Sequence, residues 1–166
     1  MEDMYLSFMN ATIRQSIQQR RPFASAEVEP FLTLARAWQV VAERANAPIC
    51  AAGLSVPQYN VLRILRGAEP EGLQTYEVAE RMVARAPNIT RLVDKLEAGA
   101  LLTRARSTED RRVVRLRITA RGMQLLERLD APVGASVKDA MQGLNAEELE
   151  ELRRLLDRLR EPLEQE

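Results

Sequence analysis

Asn88, Arg91 and Lys95 stand three and four residues apart, a spacing that gathers an amide, a guanidinium and an ammonium on one side of a helix. These groups match the edges of nucleic-acid bases and the phosphates between them. An amide pairs with adenine through two bonds, and a guanidinium pairs with guanine through two. Thr90 beside them and Arg85 just upstream add partners for phosphate or bases. A second set of cations follows beyond Gly99, in Arg104, Arg106, Arg111 and Arg112. From Arg81 to Arg121 there are eleven Arg or Lys and four Asp or Glu, a surplus of seven in a chain whose formal net charge is zero. A local surplus of this kind is the electrostatic footprint of a nucleic-acid-binding surface; for charge alone the alternative is a solvated basic face on a helical core.

Other chemistry is sharply restricted. The chain has no histidine and one cysteine, so a four-ligand structural zinc site cannot be assembled from one copy. Nucleophile pairs that need histidine are excluded. No glycine-rich phosphate loop is present, and the remaining acids lie on expected exposed helix faces. The residues therefore point to a non-enzyme, with no catalytic residue, metal or cofactor. No run of 18 apolar residues suits a membrane span, and acidic Glu2 and Asp3 stand where a signal peptide is basic, so a cytoplasmic protein is expected.

The elements that carry the cations are punctuated clearly. Thr75 to Met82 reads as a short helix, with Thr75 able to cap it and Glu77 near its positive end. A connector, Val83-Ala84-Arg85, leads to a second helix opened by Pro87 and closed by Gly99. Ile89, Leu92, Val93 and Leu96 recur at helical spacing, which buries one stripe and leaves Asn88, Arg91 and Lys95 opposite. Two strands follow, Leu101 to Arg106 and Arg112 to Ile118, joined by the polar segment Ser107 to Arg111. In the second, Val114, Leu116 and Ile118 alternate with outward Arg115 and Arg117. A helix pair followed by a hairpin, both basic, suits a duplex: the second helix enters the major groove and the hairpin arginines lie beside phosphates or in the minor groove.

The flanks are helical. Residues 1–29 form an arm whose Tyr5, Leu6, Phe8, Met9, Ile13 and Ile17 have helical apolar spacing, to lie on a partner subunit or to fray. Phe31 to about Ala47 is a helix with Leu34, Ala35, Trp38, Val41, Ala42 and Ala45 on one face, bent or ended by Pro48. Ser55-Val56-Pro57-Gln58 fits a capping box that opens a helix with Tyr59, Leu62, Ile64 and Leu65 on its apolar side. Gly67 to Gly72 is a turn. Thr119 caps a long helix that Pro132 should kink, and Asn145 caps the last helix, with leucines at 149, 152, 155, 156 and 159 on one stripe. That stripe calls for another helix, in the same subunit or in a second one.

Pro87 to Gly122 resembles the multiple-antibiotic-resistance regulator (MarR) family of bacterial winged-helix repressors. The likeness lies in the TRLVDKLE helix core, the Asp110-Arg111-Arg112 wing signature, and the Thr119–Gly122 pair that opens the next helix. Leu54 to Leu62 is similar to the segment before the family's first DNA-domain helix, and the whole likeness covers about residues 31–159. Two positions depart from the commoner pattern: Val83 stands where glycine is frequent, and Arg85-Ala86 where a Ser or Thr cap is usual.

The resemblance implies a mainly α fold with a small β wing. A winged helix-turn-helix DNA-binding domain spans 54–119, dimerisation helices occupy 30–53 and 120–166, and the arm is 1–29. It implies a homodimeric repressor on an inverted repeat, released by a small aromatic or phenolic effector. It also implies that Arg112 reaches the minor groove with Asp110 orienting it; Arg111 is the next candidate, and Arg104 and Arg106 are expected to meet phosphates. An effector would bind between the dimer helices and the DNA domain, the region expected to hold Trp38, Cys50 and Tyr59. For Trp38 the competing expectation is ordinary core. For Cys50, some relatives sense oxidants through a cysteine, but apolar neighbours favour an inert, packed thiol. The other functional class open to these residues is a winged-helix module that docks a protein partner without sequence-specific DNA binding.

Overall fold

The computed structural model describes residues 12–84, 87–106 and 113–164. It divides into two compact units, Met1–Arg44 and Ala45–Glu166. The elements in chain order are α1 (Ile13–Ser16), α2 (Val28–Ala51), α3 (Val56–Arg66), α4 (Thr75–Glu80), α5 (Ile89–Ala98), β1 (Leu102–Arg106), β2 (Val114–Ile118), α6 (Ala120–Ala140) and α7 (Ala146–Glu164). This is the expected class, mainly helical with a small antiparallel wing.

In the first unit, Thr12 caps the single turn of α1. Its backbone N–H donates to Gln15 Oε1 at 2.9 Å, and its hydroxyl accepts from the Gln15 N–H at 3.4 Å. The Arg14 guanidinium lies 5.9 Å from the centre of the Phe23 ring. The part of the arm that carries Tyr5, Leu6, Phe8 and Met9 lies outside the described residues. α2 starts three residues before the expected Phe31 and runs on through Pro48, which therefore does not end it, one of the two effects expected of that proline. Proline removes one helical hydrogen bond but keeps a helical φ. Beyond it the Ala52 N–H still reaches the Pro48 carbonyl at 3.1 Å, and Ile49 is buried, which holds the last turn in place. Gly53, at φ +77°, then ends the segment.

The second unit has one core, made by Ile49, Tyr59, Leu62 and Leu65 from the first helices, Val78, Val93 and Leu96 from the helix pair, Leu102, Leu116 and Ile118 from the hairpin, and Leu126 and Leu129 from α6. Each contributor is punctuated locally. Ser55 and Gln58 exchange hydrogen bonds at the start of α3 as expected. α4 departs from expectation: Gln74, not Thr75, is its cap residue, and the Gln74 N–H is taken by Glu77 Oε2 at 2.7 Å. α5 begins at Ile89 rather than Pro87, because Asn88 has a non-helical φ of −124°.

β1 and β2 pair antiparallel with Leu102 opposite Ile118, Arg104 opposite Leu116, and Arg106 opposite Val114. The expected alternation on β2 holds at Leu116 and Ile118 but not at Val114, which is exposed at the outer end of the hairpin. Leu73 adds a third, single-residue rung. Its N–H donates to the Leu116 carbonyl at 3.1 Å, and the Leu116 N–H donates back at 2.7 Å.

Thr119 caps α6 with its hydroxyl 3.1 Å from the Gly122 N–H, and that hydroxyl also donates to the Ala100 carbonyl at 2.8 Å. Gly122 is buried in the first turn, where an added Cβ would run into the Leu101 carbonyl oxygen and lie 2.7 Å from Ile118 Cγ1. Pro132 does not end α6, but its buried residues stop at Leu129. α7 buries no residue at all. Asn145 Oδ1 caps it at the N–H groups of Glu147 and Glu148, at 2.9 and 3.0 Å.

Gly122→Ala should therefore destabilise the fold by about 1–3 kcal/mol, the usual cost of forcing a carbon into packed space. A thermal unfolding midpoint equal to that of the unaltered chain would contradict this account of the α6 start.

Candidate nucleic-acid interface

α5 carries three stripes. At 3.6 residues per turn, Ile89, Val93 and Leu96 face the core with Leu92 half-buried at the edge of that stripe, Asp94 and Glu97 lie along one flank, and Asn88, Arg91 and Lys95 occupy the remaining side. Asn88, Thr90, Arg91 and Lys95 are all exposed. Asn88 sits at the N-cap position, yet its side chain makes no capping bond, which leaves the amide available to a ligand. Arg91 and Lys95 make no ion pair among the described residues. The structure thus brings Asn88, Arg91 and Lys95 together on one open face, with Thr90 nearer the acidic flank.

The hairpin cations divide differently. Arg106 is exposed at the end of β1. Arg104, expected at phosphate, is instead engaged within the chain: its Nη2 lies 2.6 Å from Asp94 Oδ1 and its Nη1 bonds Glu97. Hydrogen bonding from Asp94, reinforced by Glu97, raises the Arg104 guanidinium above its ordinary pKa. Arg115 and Arg117, expected to point outward, turn to the loop before α4. Arg115 Nη1 donates to the Gly72 carbonyl at 3.2 Å, and Arg117 donates to the Pro70 carbonyl. Arg85, Asp110, Arg111 and Arg112 lie outside the described residues.

The turn between α4 and α5 is fixed by a residue that the sequence reading missed. Asn60 Oδ1, on α3, accepts from the Val83 N–H at 3.0 Å, and the Val83 side chain is 89% exposed. A polar residue amid Tyr59, Val61 and Leu62 was the available signal.

A helix pair braced in this way, its second helix showing an open amide and two cations beside a basic hairpin, is a winged helix-turn-helix. Residues 54–114 match the family model described as MarR family. The HTH-type transcriptional regulator MhqR of Bacillus subtilis is 31% identical over 129 residues, covering 78% of this chain and 88% of that protein. The chain belongs to the MarR family.

Solved structures of MarR proteins agree. A MarR transcription factor from Planctomyces limnophilus is 38% identical, with a TM-score of 0.63 over 82% of this chain and 98% of that one. CouR from Rhodococcus jostii RHA1, solved bound to p-coumaroyl-CoA, is 26% identical, with a TM-score of 0.67 over 82% of this chain and 95% of that one. The family is one of transcriptional regulators, and this chain is a MarR family transcriptional regulator with a winged-helix DNA-binding fold. Among the described residues no helix is long and apolar enough to cross a membrane.

The three residues expected near a MarR effector have different surroundings. Trp38, in the first unit, is 66% exposed, so the chain does not bury it in a core of its own. Cys50, in the second unit, is exposed rather than packed away as its apolar neighbours suggested, because it falls on the open side of the last turn of α2 while Ile49 takes the buried side. Tyr59 is buried, and its hydroxyl accepts from Arg63 Nη1 at 3.1 Å, with the guanidinium 5.8 Å from its ring centre. An open hollow lined by Met82, Val83, Pro87, Arg160 and Leu163 includes none of the three.

The sequence also gave no sign of the bidentate pair between Arg66, at the end of α3, and Asp130 on α6, with bonds of 2.7 and 2.9 Å. Arg66 holds the Asp130 carboxyl below the ordinary aspartate pKa. A depressed carboxyl pKa adds stability above the unfolded value, and that stability is lost as pH falls toward the folded one. The pair is partly exposed, so the contribution is no more than about 1 kcal/mol. Asp130→Asn should lower the unfolding midpoint at neutral pH, with the difference from the unaltered chain closing below about pH 4. A difference that stayed constant down to pH 3 would show that the charge pair is not its source.

Proposed function

We propose that this MarR regulator is a homodimeric repressor that reads an inverted-repeat operator and leaves it when a small aromatic acid binds. The observation that carries the DNA part is the open stripe of Asn88, Arg91 and Lys95 on α5, donors and cations with no internal work to do. In this reading Asn88 pairs with adenine and Arg91 with guanine in the major groove, while Lys95, Thr90 and Arg85 serve phosphates or neighbouring bases. Arg106 meets phosphate. Arg112 reaches the minor groove beyond it, with Asp110 orienting it, and Arg111 is the next candidate.

Two copies are proposed because the apolar stripe of α7 is left largely uncovered by the described residues of one. Leu159 is 54% and Leu163 72% exposed, beside exposed Leu149, Leu155 and Leu156. Phe31, Leu34 and Trp38 on α2 are exposed in the same way. Burying such stripes between subunits at about 25 cal/mol per Å² is the ordinary drive for association. Dimerisation through these helices, with 54–119 as the DNA-binding domain, pairs two α5 helices about one turn of DNA apart, roughly 34 Å.

The effector part rests on chemistry near the junction of α3 with its neighbours. Arg63 stacked on buried Tyr59 supplies a cation and a phenol, a pair suited to the carboxylate of an aromatic acid. The relative CouR was solved with p-coumaroyl-CoA, which supports a ligand carrying an aromatic acyl group. Exposed Cys50 stands as a further contact.

A duplex enriched from a random-sequence pool by the purified protein is the direct test. The expected consensus is an inverted repeat bound by a dimer, with affinity falling steeply as salt rises. Arg91→Ala should cost about 1–3 kcal/mol on that duplex and relax the preference at one base position in each half-site. A monomer, or equal binding to every duplex, would instead favour a protein-docking role for the wing.

A further inference from the structure

Arg104 lies where α5 meets the hairpin, and two carboxylates of α5 share its guanidinium. Nη2 is 2.6 Å from Asp94 Oδ1 and Nη1 bonds Glu97, while the Arg104 backbone N–H donates to Glu97 Oε1 at 3.3 Å. Glu97 therefore grips both the main chain and the side chain of one strand residue, and Asp94, one turn earlier, takes the other side of the fork. This three-point grip fixes β1 against α5 in both position and tilt.

The placing of the acids is informative. Asp94 and Glu97 occupy the flank next to the open stripe of Arg91 and Lys95, where a bare carboxylate would repel phosphates. Arg104 offsets that repulsion by pairing with both acids. Its partner across the hairpin is Leu116, fully buried and itself paired to Leu73, so the strand that the grip holds is rooted in the core.

We propose that Arg104 is a positioning residue. By clamping Asp94 and Glu97 it holds the hairpin at the angle to α5 at which helix and hairpin engage one duplex together, and it makes no phosphate contact itself. This rests on the DNA-binding reading above and adds a claim that simple electrostatics contradicts. Removing two negative charges beside a phosphate-binding face should tighten binding; removing them from a clamp should weaken it, because the hairpin loses its fixed angle.

The experiment uses the full chain and the duplex that the unaltered protein selects from a random pool. Asp94→Asn combined with Glu97→Gln should weaken binding about tenfold at roughly 0.15 M salt, although the protein has become more positive. Hydroxyl-radical protection should persist beneath α5 and fade on the flanks that the hairpin covers. Arg104→Gln should weaken binding to a similar degree with the salt slope unchanged, since no phosphate partner has been removed. Arg104→Lys keeps the charge without the forked geometry and should bind with an intermediate affinity, which decides the matter if the double variant does not fold. Equal or tighter binding by the double variant, unaltered affinity in Arg104→Lys, or a salt slope about 0.9 lower in Arg104→Gln would overturn the proposal. If the unaltered protein selects no duplex, the DNA-binding reading itself has failed, a result distinct from these.

Discussion

Leu73 and Leu116 exchange two backbone hydrogen bonds, at 3.1 and 2.7 Å, and the DNA-binding unit is organised around that exchange. It ties the segment leading into α4 to the middle of β2, so that the helix pair and the hairpin become one body. The constraint it sets on neighbouring residues is severe. Gly72 must adopt φ +69°, and a Cβ there would lie 2.5 Å from the Leu116 carbonyl oxygen, so only glycine fits. Arg115 and Arg117, on either side of Leu116, then reach back to the carbonyls of Gly72 and Pro70 and hold the turn down. Both leucines are buried, which shields the exchange from water.

Against that frame the surplus of positive charge has to be divided. Arg104, Arg115 and Arg117 count among the eleven cations of this stretch, but each is engaged inside the fold. The cations left open among the described residues of this stretch, Arg81, Arg91, Lys95, Arg106 and Arg121, are fewer than the sequence count suggests. Charge counted along a chain measures affinity for phosphate only after its internal partners have been subtracted. The same subtraction applies to the acids, because Asp94 and Glu97 are held by Arg104 and do not confront a ligand bare.

Local signals were legible in the sequence where one residue acts on its near neighbours. The Ser55–Gln58 box, the Thr119 and Asn145 caps, and the buried stripe of α5 depend on spacings of three and four, which the chain displays directly. Features decided by distant partners were hidden. Leu73 is a single-residue rung with no periodicity to announce it, and the reach of Asn60 to Val83 crosses 23 positions. Arg66 and Asp130 are 64 apart. Pro48 misled because breaking a helix is an average tendency, and here the flanking turns override it. Trp38 and Cys50 misled for another reason: an apolar run says that a surface wants cover, not that the same chain provides it. Of the candidate interface, the shared open face of Asn88, Arg91 and Lys95 was readable from spacing, whereas the partners of Arg104 required the geometry.

α7 is nineteen residues long and touches no core, yet it is wound from end to end. Its flanks explain how. Arg153 bridges Glu150 and Asp157, Arg154 pairs with Glu151, and Arg160 spans Asp157 and Glu164, a ladder that complements the Asn145 cap. Each rung is worth only a few tenths of a kcal/mol, but helix growth is cooperative once nucleated, and the sum favours the wound state before any contact is made. Whatever α7 meets therefore meets a rod rather than a coil. Encounter is limited by orientation instead of by folding, and the exposed leucines lock in without a slow ordering step.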